Sequence, residues 1–293
     1  MTLQGRRDIA GYAFVSPWIA GFLLFTAWPF CRSIYLSFTS YDVVTPPKWI
    51  GLVNYHVLAN EDPLFWKTAL NTLKYAVIAV PLGVVAGVGL ALLLNSKIRG
   101  ISIYRTLFFL PSIVPTVATS AVFMWILNPQ IGLVNGLLGR IGITGPAWLA
   151  DSKWAFWSLI LLGLWGVGGS MVIYLAGLKD IPVHLYEAAT IDGAGAWTRA
   201  TRITLPSLTP VIFFNLVMGV IGAFQYFTPA YIMTQGGPED STRFYALYLF
   251  DRAFRYLDMG YASAMAWVLF AGIVVITWLL FRTQRRWVHY GGG

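Results

Sequence analysis

Six long segments of this chain contain no charged residue, and they constrain its fold more than any other feature does. They cover residues 9–31, 75–96, 106–139, 154–178, 203–238 and 259–281. Each exceeds the roughly 20 apolar residues with which an α-helix crosses ~30 Å of hydrocarbon. Because a backbone in lipid must satisfy its own hydrogen bonds, helices are expected in all six. The segments therefore predict an all-α membrane protein with six transmembrane helices.

Composition supports a lipid environment. The chain is 57% hydrophobic and 11% charged, with a mean hydropathy of +0.66, whereas soluble domains carry about 25% charged residues. We expect one transmembrane domain over residues 1–293, with spans at about 12–37, 68–95, 104–127, 155–178, 207–230 and 260–281. Pro111 and Pro115 should bend the third span. Small residues from Gly166 to Ser170 should let the fourth span approach a neighbour closely or leave room for a ligand.

The distribution of positive charge predicts the orientation of the chain. With six spans, both termini lie on the same side of the membrane as the loops at 96–105 and 179–202. These four segments hold 11 of the 20 Lys and Arg residues, although the opposite loops are longer. They are Arg6, Arg7, Lys97, Arg99, Arg105, Lys179, Arg199, Arg202, Arg282, Arg285 and Arg286. By the positive-inside rule, we expect a multi-pass protein of the inner or plasma membrane with both termini cytoplasmic. The net charge of +8 thus indicates topology and not nucleic-acid binding.

A polar stretch separates the fourth and fifth spans, and its composition predicts a short helix. Residues 187–206 read EAATIDGAGAWTRATRITLP. Pro182 suits the first turn of a helix, since its missing N–H is not needed there. The Glu-Ala-Ala run from Glu187 favours helix, and Gly193 or Gly195 can end it. The fifth span should then begin at a bend near Pro206.

The order of these residues resembles the EAA loop of the membrane subunits of binding-protein-dependent ABC importers. The matching positions are Glu187, Ala188, Ala189, Asp192, Gly193, Ile203, Leu205 and Pro206. Other stretches, including MTQGGPEDSTRFYALYLFDRAF from residue 233, resemble carbohydrate permeases of the maltose and glycerol-3-phosphate type. The resemblance implies the type I importer permease fold, in which the loop at 179–206 forms a cytoplasmic coupling helix.

The same resemblance implies the partners. They are a second, different permease, two copies of an ABC ATPase and an extracytoplasmic sugar-binding protein, all assembled at the lipid bilayer. ATP and magnesium would be used by the ATPase, because this chain has no G-x-x-x-x-G-K-[ST] segment. We therefore expect a non-catalytic subunit without a cofactor of its own.

The polar residues outside the spans do not suggest a catalytic or metal site. His56, His184 and His289 lie far apart in loops or the tail. The acidic pairs that begin at Glu61 and Glu239 are expected to be solvated. We therefore assign no catalytic residue and no metal ligand.

The uncharged spans bear on the cargo. A proton- or ion-coupled carrier usually keeps an ionisable group at mid-depth, and none of the six segments contains one. This favours a neutral, hydroxyl-rich cargo such as a mono-, di- or oligosaccharide, held by neutral polar side chains and aromatic faces. The candidate pathway residues are Trp165, Ser170, Asn215, Gln225 and Tyr226. Ser and Asn also join helices, and aromatic residues also line membrane interfaces, so each residue has a structural alternative.

Three other functions remain open at this point. The same machinery could carry glycerol-3-phosphate or another small solute. The chain could also be a self-sufficient secondary transporter or channel, or a membrane scaffold without cargo. An importer of glycerol-3-phosphate would differ from a sugar importer in the charge of its binding site. A secondary transporter or channel would differ in working without an ATPase.

Overall fold

The computed structural model describes residues 3–96 and 98–289, with side chains from residue 11 onward. Lys97, one of the basic residues on the predicted cytoplasmic side, lies outside the described residues. Two short strands, β1 (Thr39–Ser40) and β2 (Lys48–Trp49), pair antiparallel. The helices are α1 (Leu3–Phe22), α2 (Trp28–Ser37), α3 (Val53–Asn60), α4 (Pro63–Leu94), α5 (Ile101–Ile113), α6 (Thr116–Ile126), α7 (Leu133–Arg140), α8 (Ser152–Trp165), α9 (Gly168–Lys179), α10 (Val183–Ile191), α11 (Ala196–Arg199), α12 (Leu205–Phe224), α13 (Thr228–Met233), α14 (Tyr245–Phe250) and α15 (Met259–Gln284).

The apolar helices account for the predicted membrane character of the chain. Within the described residues, four continuous helical stretches are long and apolar enough to cross a bilayer: Gly11–Ser37, Pro63–Leu94, Ala196–Met233 and Met259–Gln284. Two bent helix pairs raise the number to six when each pair is one span. None of the most apolar window of Gly11–Ser37 is buried within the chain. Such a surface needs lipid or another subunit against it, as expected for a membrane helix.

The third span is bent where the sequence predicts it. The axes of α5 and α6 differ by 98°. Val114 between them is extended, with φ −69° and ψ 130°, because the ring of Pro115 disfavours the helical conformation in the residue before it. The expected continuous helix over 104–127 is therefore two short helices joined at a corner.

The fourth span is also divided, at its small residues. Helices α8 and α9 differ in direction by 44°. Gly168, the first residue of α9, lies directly against the backbone of Phe108 in α5, and a Cβ there would overlap the Phe108 carbonyl oxygen. The small residues thus permit the close helix approach that the sequence predicts.

The chain divides into two compact units. The first comprises Met1–Pro63 and Leu249–Phe270, and the second comprises Leu64–Tyr248 and Ala271–Gly293. The single transmembrane domain expected from the sequence stays a prediction. In the second unit the buried apolar residues form two clusters, one around Tyr75, Leu159 and Phe244, the other around Ala91, Tyr174 and Leu208.

In the first unit, a buried polar network corrects one expectation. Asp62 is not solvated, because only 8% of its surface is exposed. Its carboxylate accepts a hydrogen bond from the Tyr261 hydroxyl and lies 3.7 Å from an Arg252 guanidinium nitrogen. A buried carboxylate needs such partners to stay ionised. Its neighbour Glu61 is exposed and faces His56, as predicted.

Candidate functional site

The loop between the fourth and fifth spans contains the short helix that the sequence predicts. Pro182 is the N-cap of α10, and Asp192 is its C-cap. Gly193 follows with φ +74°, a conformation that glycine adopts without steric cost. The N–H of Gly193 donates to the Thr190 carbonyl, and that of Ala194 to the Ala189 carbonyl. These two bonds define a Schellman motif, so Gly193 ends the helix by a specific backbone mechanism.

A side-chain hydrogen bond ties α10 to the start of the fifth span. The Tyr186 hydroxyl lies 2.9 Å from the Thr204 hydroxyl. Thr204 is buried and belongs to a π-helical turn, Ala200–Thr204, that leads directly into α12. This contact links residues 18 positions apart and joins α10 directly to the turn that leads into α12. Sequence reasoning did not select either residue, although both flank motif positions.

The eight predicted coupling residues separate into an outer and an inner group. Glu187, Ala188, Asp192 and Gly193 are exposed, whereas Ala189, Ile203, Leu205 and Pro206 are partly buried. Ile203 and Leu205 pack against the apolar cluster around Leu208. The outer group is available to a partner, and the inner group holds the loop on the bundle. Ala189 belongs to the inner group, and its predicted role in coupling to an ATPase stays a prediction.

Removal of the Tyr186–Thr204 hydrogen bond should weaken the loop measurably. We expect Tyr186→Phe and Thr204→Val each to destabilise the folded chain by about 1 kcal/mol, the usual contribution of a neutral hydrogen bond. The double variant should cost little more than Thr204→Val alone, because that change already removes the bond to Tyr186 together with the longer bond, at 3.3 Å, from the Thr204 hydroxyl to the Arg199 carbonyl. Thermal unfolding of the purified chain in detergent measures this, with Tyr12→Phe, an exposed tyrosine, as control. Fully additive effects would contradict the coupling.

A cavity of about 400 Å³ lies in the second unit among α4, α8, α9 and α12. Its polar lining consists of Tyr75, Ser170, Tyr174, Asn215 and Tyr226, and the remaining lining residues are apolar or glycine. Among the described residues, none of the side chains that line it is charged. The cavity is therefore suited to a neutral molecule with hydroxyl groups.

Tyr75 and Tyr226 form one end of this cavity. Their ring centroids are 4.4 Å apart with an interplanar angle of 33°. The Tyr226 hydroxyl donates to the Leu159 carbonyl at 3.3 Å. Tyr75 lies in the first half of α4 and Tyr226 just beyond the end of α12, so this is the end away from α10, which precedes the start of α12. Aromatic rings at such a position can offer an apolar surface to a sugar ring.

A buried hydroxyl at the other side of the cavity has no hydrogen-bond partner among the described residues. It belongs to Tyr174, whose side chain is fully buried. The Ser170 hydroxyl, one helical turn earlier, donates to the Val167 carbonyl. A Cβ added to Gly87 would lie 2.8 Å from the Tyr174 ring and 2.9 Å from the Ser170 hydroxyl. Since an unpaired buried hydroxyl is unfavourable, Tyr174 is suited to bind a polar group that enters the cavity.

Of the five predicted pathway residues, three lie together. Ser170, Asn215 and Tyr226 line the cavity. Gln225 is exposed as the C-cap of α12, and Trp165 lies outside the cavity, half exposed and packed against Phe123. Whether any of the five contacts the cargo stays a prediction.

Sequence reasoning missed Tyr75 and Tyr174. Tyr174 was detectable, because its spacing of four residues from Ser170 places both side chains on one helix face. Tyr75 gives no such signal, since its place in the cavity depends on how α4 packs against α12.

The chain is similar to known transport proteins over nearly its whole length. The sequence profile described as "Binding-protein-dependent transport system inner membrane component" matches residues 79–289. The chain is 49% identical to the probable ABC transporter permease protein YesP of Bacillus subtilis (strain 168), over 97% of this chain and 94% of the relative. It is 36% identical to the lactose transport system permease protein LacF of Rhizobium radiobacter, over 97% of both chains.

A solved structure shows the same fold. It is the crystal structure of a bacterial alginate ABC transporter in complex with an alginate pentasaccharide-bound periplasmic protein, which matches with a TM-score of 0.86 at 24% identity and covers 96% of each chain. The helical architecture described above is thus the type I importer permease fold. Together with the profile match and the identity to permeases, this establishes that the chain belongs to the family of inner membrane components of binding-protein-dependent ABC transport systems.

Proposed function

We propose that this chain is the permease subunit of an ATP-driven ABC importer that carries a neutral sugar into the cytoplasm. The observation that carries the proposal is the combination of an uncharged, tyrosine-lined cavity with a short exposed helix near the opposite end of α12. The cavity supplies a place for the cargo, and the helix supplies a place for a motor. Relatives named for lactose and for trehalose and maltose transport support a sugar as the cargo.

The surface of the α10 loop supports docking of an ATPase. Ile191 is 87% exposed and Trp197 is 81% exposed, although both belong to a polar loop that contains six charged residues between 179 and 206. Large apolar side chains exposed in a polar setting mark contact surfaces for other proteins. Glu187 and Ala188 share the exposed side of α10 with Ile191. We assign this surface to an ABC ATPase, whose closure on ATP would move α10 and, through Tyr186 and Thr204, α12.

The chemistry of the cavity favours a neutral sugar over glycerol-3-phosphate. A phosphate ester is usually held by charge-assisted hydrogen bonds from Arg or Lys, and the described cavity lining offers neutral hydroxyl and amide groups instead. Tyr174 and Asn215 can bond sugar hydroxyls, and the Tyr75–Tyr226 pair can stack on a ring. A 400 Å³ volume falls within the usual range of small-molecule sites.

The remaining partners follow from the same proposal. A second, different permease would complete the pathway, and two ATPase copies would hydrolyse ATP with magnesium. An extracytoplasmic binding protein would deliver the sugar at the side of Tyr75 and Tyr226. Both termini and α10 would then be cytoplasmic, in agreement with the excess of Lys and Arg in those segments.

Reconstitution of the chain tests the proposal. Proteoliposomes would contain this chain, its second permease and the ATPase, with the binding protein added outside. Uptake of radiolabelled lactose and maltose would be compared with uptake of glycerol-3-phosphate, each with ATP or a non-hydrolysable analogue inside. We expect uptake of at least one neutral sugar that requires ATP hydrolysis.

Two results would overturn the proposal in different ways. Uptake by this chain alone, without the ATPase, would identify a secondary transporter or channel. ATP-dependent uptake of glycerol-3-phosphate but of neither sugar would support the importer assignment and contradict the assignment of a sugar as its cargo.

A matched variant, Tyr174→Phe, should lower the apparent affinity for the sugar without changing the ATPase activity of the empty complex.

A further inference from the structure

We propose that Asn71 and Thr72 are positioning residues that keep the cavity closed at the end formed by Tyr75 and Tyr226. They do so by holding residues 234–245, here called the strap, against the first turns of α4. The inference rests on the proposed function for two points: the cavity is the transport pathway, and the strap faces the extracytoplasmic side. It concerns a segment, with the pattern Thr-x-Gly-Gly-Pro at residues 234–238, to which the proposed function assigns no role.

The strap has a defined internal structure. Thr242 is fully buried, and its hydroxyl bonds to the Thr234 hydroxyl and the Gly237 carbonyl, each at 2.7 Å. Gly236 has φ +88° and lies against the Arg243 side chain, where a Cβ would be 3.1 Å away. The strap is therefore held in a defined conformation by its own hydrogen bonds.

Three side chains of α4 hold the strap through its backbone. The Asn71 amide donates to the carbonyls of Asp240 and Arg243, at 2.8 and 3.3 Å. The Thr72 hydroxyl accepts the N–H of Tyr245 at 2.8 Å. Lys67 donates to the Glu239 carbonyl at 2.6 Å. Backbone groups without such partners would be unsatisfied wherever water is excluded.

The three contacts between α4 and the strap differ in how well they are sheltered from water. Thr72 is 1% exposed and Asn71 is partly buried, whereas the Lys67 side chain is 47% exposed. Hydrogen bonds sheltered from water hold a segment more firmly than an exposed charged contact that salt screens. Asn71 and Thr72 should therefore dominate, and Lys67 should contribute little.

The strap connects directly to the wall of the cavity. Phe244, between Arg243 and Tyr245, is fully buried. Its ring centroid lies 5.2 Å from that of Tyr75 and 5.4 Å from that of Tyr226. Because these two tyrosines line the cavity end and Phe244 packs behind them, displacement of the strap would remove their support. Release of the bonds from Asn71 and Thr72 would open the cavity on that side.

Thiol labelling can test this in the assembled transporter. Cys31 is the single cysteine of the chain, so a Cys31→Ser background with Ala79→Cys places one reporter in the cavity lining. Spheroplasts without cargo would be treated with the membrane-impermeant reagent 2-sulfonatoethyl methanethiosulfonate. The rate of modification of this chain would be read from its mass. We expect Asn71→Leu and Thr72→Val each to raise that rate about tenfold, the factor that loss of one neutral hydrogen bond can supply.

The chain offers a matched control. Asn135 also donates to two backbone carbonyls, those of Pro129 and Pro146, at 3.1 and 3.2 Å, but it belongs to α7, where it also accepts the Trp148 indole N–H, and it does not line the cavity. Asn135→Leu should leave the labelling rate within about twofold of the background, as should Thr72→Ser, which keeps the hydroxyl. The amount of chain in the membrane reports folding of every variant.

The outcomes separate the strap from the transport proposal. Equal labelling in Asn71→Leu, Thr72→Val and Asn135→Leu would overturn the positioning role, whatever the transport result. If Asn71→Leu fails to reach the membrane, the milder Thr72→Val decides by the same criterion. A wild-type complex without ATP-dependent uptake would reject the importer and leave the labelling result intact.

Discussion

Reversal of the charge at Glu187 should abolish ATP-driven uptake while the chain remains inserted in the membrane. Glu187 is exposed on α10, so a lysine there fits the isolated subunit without steric conflict. In the proposed complex it would face the ATPase. Reversal of a charge at an interface costs about 2–5 kcal/mol, which corresponds to a loss of about 30-fold or more at ~1.4 kcal/mol per tenfold.

The measurement is sugar uptake in proteoliposomes, combined with co-purification of the ATPase. Glu187→Lys should lose both, whereas Glu187→Gln should retain most of each because it keeps the shape and the polarity. Glu61→Lys is the matched control, since Glu61 is also an exposed glutamate but lies between α3 and α4. Normal uptake by Glu187→Lys would refute the assignment of α10 as the coupling helix.

Substitution of Gly168 by alanine should have the largest effect on the stability of the fold. A Cβ at Gly168 would overlap the Phe108 carbonyl oxygen and lie 2.8 Å from the Phe108 carbonyl carbon. Backbone atoms cannot rotate aside as a side chain can, so α5 and α9 would have to separate. Overpacking of this kind costs about 1–3 kcal/mol, occasionally more. We expect Gly168→Ala to lower the thermal midpoint in detergent by about 5 °C or more.

The adjacent residue provides the control. A Cβ at Gly169 would meet only the Ser112 side chain, at 3.7 Å, which is ordinary contact. Gly169→Ala should therefore leave the thermal midpoint within about 1 °C of the wild type, since a small change without overlap is usually neutral. Equal midpoints for the two alanine variants would show that α5 and α9 do not touch at Gly168.

The helix of the coupling loop was predictable because its causes are local. Pro182 begins it, Gly193 ends it in a left-handed conformation, and both effects depend on the backbone of residues close in the chain. The bend at Pro115 is local in the same way, since a proline restricts the residue before it. The membrane spans were predictable because any long uncharged apolar segment meets the same demand from lipid.

The candidate site was only partly predictable, because its members are brought together from distant parts of the chain. Tyr226 could be selected as a polar aromatic residue in an uncharged apolar segment, but its pairing with Tyr75 exists only once α4 packs beside α12. Trp165 shows the opposite case. As an aromatic residue in the fourth span it was a candidate for the pathway, but the packing of α8 places it outside the cavity.

The residue pattern alone was enough to predict a helical membrane protein with six apolar segments, and a short capped helix between the fourth and fifth of them. Lipid exposure and backbone conformation act on each segment separately, so no knowledge of its neighbours was needed. The tertiary structure alone decided which tyrosines line the cavity, that Asp62 is buried, and that Asn71 and Thr72 hold the strap. Those features depend on distances between helices, which packing sets and which residue order does not express.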